Sequence, residues 1–191
     1  VERDGFLPCV GLNNETSTAV PTTYGSIYNG ITVGRTDGEH SAGDTVYDTS
    51  GRTKPEIVAQ GRVPGQAVTS PEYCSFATPI VTSAAAFLID AAGSNSAAKD
   101  QITLKAILLA GADKGVSATW DQTTTRPIDE VYGAGEVDIY ESFFIQQAGQ
   151  QAATSTIAER GWNFSSVSSS SSEVYNINVP GGFELRNLSA L

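Results

Sequence analysis

Three side chains in this sequence are of kinds that can act on a carbonyl: the hydroxyl of Ser75, the thiol of Cys74 beside it, and the carboxamide of Asn14. Ser75 stands ahead of Phe76-Ala77-Thr78-Pro79-Ile80-Val81-Thr82-Ser83-Ala84-Ala85-Ala86, and from Ile80 to Ala92 nothing breaks the run until Gly93. Small and apolar residues over such a stretch predict a buried helix. Ser75 suits the N-cap, because a serine oxygen accepts a bond from an unpaired amide of the first turn. Pro79 then falls among early positions whose amides have no partner inside the helix. The same placement suits a nucleophile, since the positive end of a helix stabilises negative charge emerging beside it. Cys74 is a rival nucleophile, but no His is placed to pair with it. The only His, His40, lies in a polar, Gly-rich stretch at 35–53 and reads as an exposed loop residue.

The elements that must position these groups follow from short apolar runs. Phe6 to Leu12 reads as a buried strand with Pro8 near its start, ending in the polar turn Asn13-Asn14-Glu15-Thr16. Asn14 is thus a turn residue, and it also opens an Asn-x-Thr glycosylation sequon, a pattern common by chance. Ile31-Thr32-Val33, between Gly30 and Gly34, is a β-branched strand, and Ile57 to Ala59, opened by Pro55 and closed by Gly61, is another. Asp100 to Leu109 carries the pattern of a helix with one apolar face, ended at Gly111. Ile139 to Ala148 reads as a last helix. Gly133-Ala134-Gly135 lacks the preceding strand and following Lys-Ser/Thr of a phosphate loop, so nucleotide binding is not expected. Beyond residue 150 come a Ser-rich stretch around 165–172, an alternating run from Val174 to Val179, a Pro180-Gly181-Gly182 turn and a possible strand from Phe183 to Leu188. Two strands do not make a stable unit, so this reads as the start of a β-rich, sandwich-like segment.

Composition bounds the function. The chain has 191 residues, 40% of them hydrophobic and 17% charged, an ordinary globular mixture. A net charge of −10 argues against nucleic acid and anionic membrane surfaces as partners. No uninterrupted apolar run reaches the roughly 20 residues of a membrane span. Two cysteines, Cys9 and Cys74, define no disulfide framework; they form one bridge or are small buried residues.

Ser75-Phe76-Ala77-Thr78-Pro79-Ile80-Val81, followed by Thr82-Ser83 and the alanines, resembles the serine motif of the subtilases, the subtilisin-like serine proteases. That motif reads Gly-Thr-Ser-x-Ala-(Ser/Thr)-Pro-x-Val. Tyr73 and Cys74 stand where the family has Gly and Thr. Other landmarks follow the family's order. Leu12-Asn13-Asn14-Glu15 resembles its Ala-Gly-Asn-Glu strand end, Val33-Gly34 its next strand, Lys54-Pro55-Glu56-Ile57-Val58-Ala59-Gln60-Gly61 its Lys-Pro-Asp segment, and Gly133-Ala134-Gly135-Glu136-Val137 its closing Gly-x-Gly segment. Asn14, the Val33-Gly34 strand, the Lys54-Pro55-Glu56 run and Ser75, four landmarks in one order, are far more specific than any one alone.

The resemblance implies a partial subtilisin-like α/β fold, a parallel sheet flanked by helices, over residues 1–148; the low-complexity stretch makes 149–172 a linker, and the strand pattern makes 173–191 the start of a truncated β-rich segment. It implies Ser75 as nucleophile, Asn14 as oxyanion donor, Leu12 and Asn13 lining the pocket for the substrate residue before the cleaved bond, and a polypeptide substrate. The Asp and His of the triad are then expected upstream of Val1, in a missing N-terminal half of the same domain that would be this chain's partner. Without that half the chain is expected to be inactive, with an open sheet edge and an uncovered apolar face. No cofactor is assigned, structural calcium being a family possibility, and a secreted or cell-envelope location follows by resemblance. The alternative from another class is an inactive subtilase-fold binding or structural module, favoured by Tyr73-Cys74 and by bulky Leu12-Asn13.

Overall fold

A computed structural model describes residues 5–45, 52–63, 65–153 and 156–182. Its centre is a parallel three-stranded sheet in the order β1 (Cys9–Gly11), β2 (Ile31–Arg35), then a strand at Ile57–Ala59 that is β5 in chain order. Between β2 and β5 lies a small antiparallel pair, β3 (Gly43–Asp44) and β4 (Thr53–Lys54). β2 is central and every residue in it is buried, as the β-branched run Ile31-Thr32-Val33 requires. Cys9 pairs with Ile31 on one side, and Val33 pairs with Ile57 on the other. The Gly-x-Gly segment extends the sheet past β5: Val58 N–H donates to Gly135 O at 3.0 Å and Val137 N–H to Val58 O at 2.9 Å. The sheet is therefore parallel and helix-flanked, the α/β arrangement of a partial subtilisin-like fold.

Three helices complete the layer: α1 (Cys74–Ala91), α2 (Gln101–Gly111) and α3 (Ile139–Gln147). α1 lies against β1, β2 and β5, and α2 and α3 pack on it and on each other. Ala77, Val81, Ala84, Ala85 and Leu88 bury one face of α1 against Ile31, Val33 and Ile57 in a common core with Leu104, Ile107 and Leu108 of α2. At 18 residues and a mean hydropathy of 1.4, α1 is by length and composition long and apolar enough to cross a bilayer, although no single apolar run in the sequence is; here it is the helix on which the sheet packs. Asp100 and Asp138 cap α2 and α3 through their carboxylates.

Several expectations are corrected. Ser75 is the second residue of α1, not its cap; the cap position is Tyr73, which makes no side-chain capping bond. Pro79 is consequently inside the helix, where its ring removes a backbone bond to the carbonyl of Ser75. α2 does end at Gly111, as expected; a Cβ there would come within 2.4 Å of Ser142 Oγ, so its smallness serves the α2–α3 approach. Val174 to Val179 forms no strand. Val174 and Val179 are exposed, and the run makes only a bridge from Asn176 to Thr156, because no sheet face is offered for its apolar side chains. Phe183 to Leu188 lies outside the described residues. Cys9 and Cys74 are both free thiols.

His40 is buried, 1% exposed, not an exposed loop residue. Its Nδ1 accepts the N–H of Arg35 at 3.1 Å, and its Nε2 donates to Val131 O at 2.9 Å. Gly34 makes room for it, since a Cβ there would stand 2.5 Å from Nε2. The ring thus locks the end of β2 to the 129–133 turn, and it must be neutral to do so.

A second tie lies at the amino end of the sheet. The buried Glu56 carboxylate accepts from Thr32 N–H at 2.6 Å, from Thr32 Oγ1, from Lys54 Nζ and from Lys105 Nζ at 3.0 Å. The two ammonium groups also donate to Ile27 O at 2.8 Å and Tyr28 O at 3.0 Å. Burial pulls the Lys54 ammonium below its ordinary pKa, and Glu56 opposes that pull. Glu56→Ala would leave two buried cations facing no carboxylate. It is expected to lower the unfolding free energy by about 3–5 kcal/mol, read from urea unfolding; a loss below about 1 kcal/mol, the value of a surface pair, would refute the role. His40 makes a pH-dependent contribution. Burial holds its folded pKa below the unfolded value of about 6.5, so its support is complete above that pH and is lost as pH falls toward the folded pKa, because the unfolded chain takes up the proton first. Between pH 7 and 5 the urea midpoint should therefore fall further in the parent chain than in His40→Gln, and parallel profiles would sink the idea.

Candidate active site

Parallel strands bring their carboxyl ends to one edge, and open α/β sheets carry their sites there. β1 runs into Leu12-Asn13-Asn14 at that edge, β2 into Arg35, and β5 into Gly61. The chain returns to the same edge at Tyr73, whose N–H donates to Gly61 O at 2.8 Å, and there turns into α1. A Cβ on Gly61 would meet Glu72 Cβ at 2.6 Å, so the close passage of these two segments depends on a glycine.

Ser75 is exposed on the first turn of α1. Neither its hydroxyl nor its N–H is engaged by another described residue. The latter follows from its place in the first turn, where amides have no helical acceptor. An uncommitted hydroxyl and an uncommitted N–H on one residue, at the positive end of an 18-residue helix, form a place where an oxygen can attack and negative charge can be held.

Asn14 comes to the same turn from β1. Its Oδ1 accepts the N–H of Cys74 at 2.6 Å, across 60 residues of sequence. This bond gives an acceptor from outside the helix to a first-turn amide that precedes Ser75, whereas a Ser75 cap would have served amides two or three residues further on. It also fixes the amide: with Oδ1 committed to the helix, Nδ2 keeps both its hydrogens and has no partner among the described residues. Asn14 is itself exposed. The Asn14 carboxamide is therefore held on the amide of Cys74, the residue before Ser75.

The neighbouring residues divide between surface and interior. Asn13 is exposed; its backbone bonds Ser41, accepting from Ser41 N–H at 3.0 Å. Leu12, expected beside it on a pocket wall, points inward instead, 5% exposed, in a small cluster with Val20 and Cys74. Cys74 is 1% exposed, and burial pushes its thiol up to about 11. It stays protonated at neutral pH, which removes it as a nucleophile. Tyr73 is 40% exposed and meets Phe76 edge-on at 5.6 Å. His40, held as described, faces no reacting group. Among the described residues no cluster of three metal-ligating side chains occurs.

Sequence reasoning missed Arg35. It is 6% exposed, grips Asp37 through Nε at 2.9 Å and Nη2 at 2.6 Å, and donates from Nη1 to Glu72 O at 2.7 Å. An arginine two residues from an aspartate at a strand end was a visible signal, but its reach to the serine turn depends on the β2–β5 register.

No curated protein matches the chain significantly. The model of the subtilase family matches residues 5–135, which include Asn14, the Glu56 segment, Ser75 and the Gly-x-Gly segment. The chain belongs to the subtilase family, whose members are serine peptidases.

Proposed function

We propose that this chain supplies the nucleophile and the oxyanion donors of a subtilisin-like serine endopeptidase, the Asp and His of the triad lying upstream in the same domain. The observation that carries the reading is the pairing of Ser75, whose hydroxyl and N–H have no partner among the described residues, with Asn14, whose carboxamide is anchored by Oδ1 to Cys74 N–H and offers Nδ2. Ser75 Oγ attacks the scissile carbonyl while the upstream His takes its proton and later returns it to the leaving amine. The carbonyl oxygen, now negative, is met by the Ser75 N–H and by Asn14 Nδ2, in the field of the α1 dipole. The acyl group leaves Ser75 by the same route with water as attacking group. The substrate is an extended polypeptide; exposed Asn13 and the backbone at Leu12 border its residue before the cleaved bond. Such an enzyme acts outside the cytosol, in the secreted or cell-envelope space.

A fluorophosphonate probe reacts with an activated serine and tests the reading in the longer protein that includes the upstream partners. Labelling at Ser75, abolished in Ser75→Ala, is expected. Asn14→Leu should lower turnover by about 10²–10³-fold, the loss known for a subtilisin asparagine in this role rather than one derived from this chain. Asn14→Asp, which keeps the Cys74 acceptor but lacks the donor, should be as slow as Asn14→Leu while remaining better folded. A folded parent protein that takes no label would instead support the inactive binding or structural module.

A further inference from the structure

We propose that Arg35 is a positioning residue for the Ser75 turn: its guanidinium, braced in plane by Asp37, holds the Glu72 carbonyl and with it the entry of α1. The proposal rests on the peptidase reading for its effect on catalysis, but its structural part stands apart from that reading.

The Tyr73-Cys74-Ser75 turn has three anchors. Asn14 holds Cys74 N–H, Gly61 O holds Tyr73 N–H, and Arg35 Nη1 holds Glu72 O at 2.7 Å. Only the third comes from the central strand. Arg35 is the last residue of β2, its own N–H is taken by His40, and its side chain is 7% exposed. The guanidinium has little freedom, because Asp37 takes Nε and Nη2 side-on and Asp37 is itself fixed by the Glu39 N–H at 3.0 Å. The charge of Arg35 is thus matched by Asp37, and what remains directed at the serine turn is one well-aimed N–H. Glu72 is otherwise held through its side chain, by Arg62 Nη2 at 2.8 Å and by Gly61 N–H at 3.3 Å. Its carbonyl depends on Arg35. A lysine would keep the charge, but one ammonium cannot grip a carboxylate side-on and hold a carbonyl in the same plane.

Cys74 provides an internal gauge. Its buried thiol sits beside Ser75, so loosening of this turn exposes it, whereas Cys9, in β1, reports on the sheet. Arg35→Met and Arg35→Lys are made in the longer protein and compared with the parent in two measurements. In the first, Ser75 labelling by a fluorophosphonate and peptide turnover should both slow by about tenfold to 10²-fold, the effect of a small misplacement of a reacting atom, with kcat reduced and KM nearly unchanged. In the second, iodoacetamide alkylation followed by mass should rise at Cys74 relative to Cys9. Parent-like rates in both measurements for Arg35→Met would overturn the proposal. So would equal acceleration at both thiols, which would make Arg35 a support of the whole sheet rather than of the turn. If the parent itself takes no label, the peptidase reading falls, and the Cys74-to-Cys9 ratio alone decides whether Arg35 positions the turn.

Discussion

Glu56 is the point at which the sheet is tied together. Its carboxylate bonds the Thr32 N–H on the neighbouring strand, while its own N–H donates to Thr32 O at 3.0 Å. This two-way link sets the stagger of β5 against β2. The ammonium of Lys105 brings α2 to the same carboxylate, and both lysines gather the 27–28 carbonyls that precede β2. A buried ion cluster of this kind adds little net stability compared with apolar packing, because its desolvation cost is large. Its contribution is specificity: only one register satisfies all its donors and acceptors. In a parallel sheet, a stagger fixed at the amino end is transmitted to the carboxyl end, since a slip of one residue would turn every side chain to the other face. The match of Arg35 to Ala59, and so the passage of Gly61 beside Glu72, follows from that register.

At the carboxyl edge one hydrogen bond does two jobs. The Cys74 N–H needs an acceptor because a first-turn amide has none in its own helix. Asn14 provides it from the turn that follows β1. A serine at the N-cap has its oxygen occupied, whereas Ser75, one residue inside a helix that begins at Cys74, caps nothing, and its oxygen has no partner among the described residues. The same bond chooses the orientation of the Asn14 carboxamide, because reversing it would set a donor against a donor. Site geometry here is thus a by-product of satisfying a helix end.

The fold was legible where apolar pattern and chain punctuation agreed. Ile31-Thr32-Val33 and Ile57-Val58-Ala59 announce buried strands by β-branching and flanking Gly or Pro, and the long run after Ser75 announces its helix. The helix start was misjudged by a residue or two because capping was assumed to be local; a cap supplied across 60 residues leaves no mark in the neighbouring sequence. His40 was misjudged for a related reason. Polar, Gly-rich surroundings suggest exposure, yet Gly34 is the very residue that opens a slot for the ring. Val174 to Val179 shows the opposite failure: alternation is present, but no partner strand converts it into sheet. The candidate residues Ser75 and Asn14 were singled out by motif order, and the fold holds Asn14 on the amide next to Ser75; Arg35 was not, since its reach to that turn depends on a register that no short motif encodes.

The departures from the family motif are not independent of one another. Gly11 lets β1 touch α1, a Cβ there coming within 2.8 Å of Thr78 Oγ1. Leu12, the next residue, packs with Val20 and with Cys74 at the start of the same helix. A bulky residue in place of a small one at position 12 and a cysteine in place of a threonine at position 74 are thus two parts of one packing unit, apolar on both sides. Tyr73 is a separate matter. Its φ of −140° and ψ of 140° lie in the ordinary extended region, which any residue adopts, so the chain path at this point does not need glycine. What a glycine would leave open, the tyrosine ring occupies, edge-on to Phe76. The sequence changes around Ser75 therefore bear on the interior behind it and the surface beside it, and the chain enters α1 through ordinary extended backbone at Tyr73.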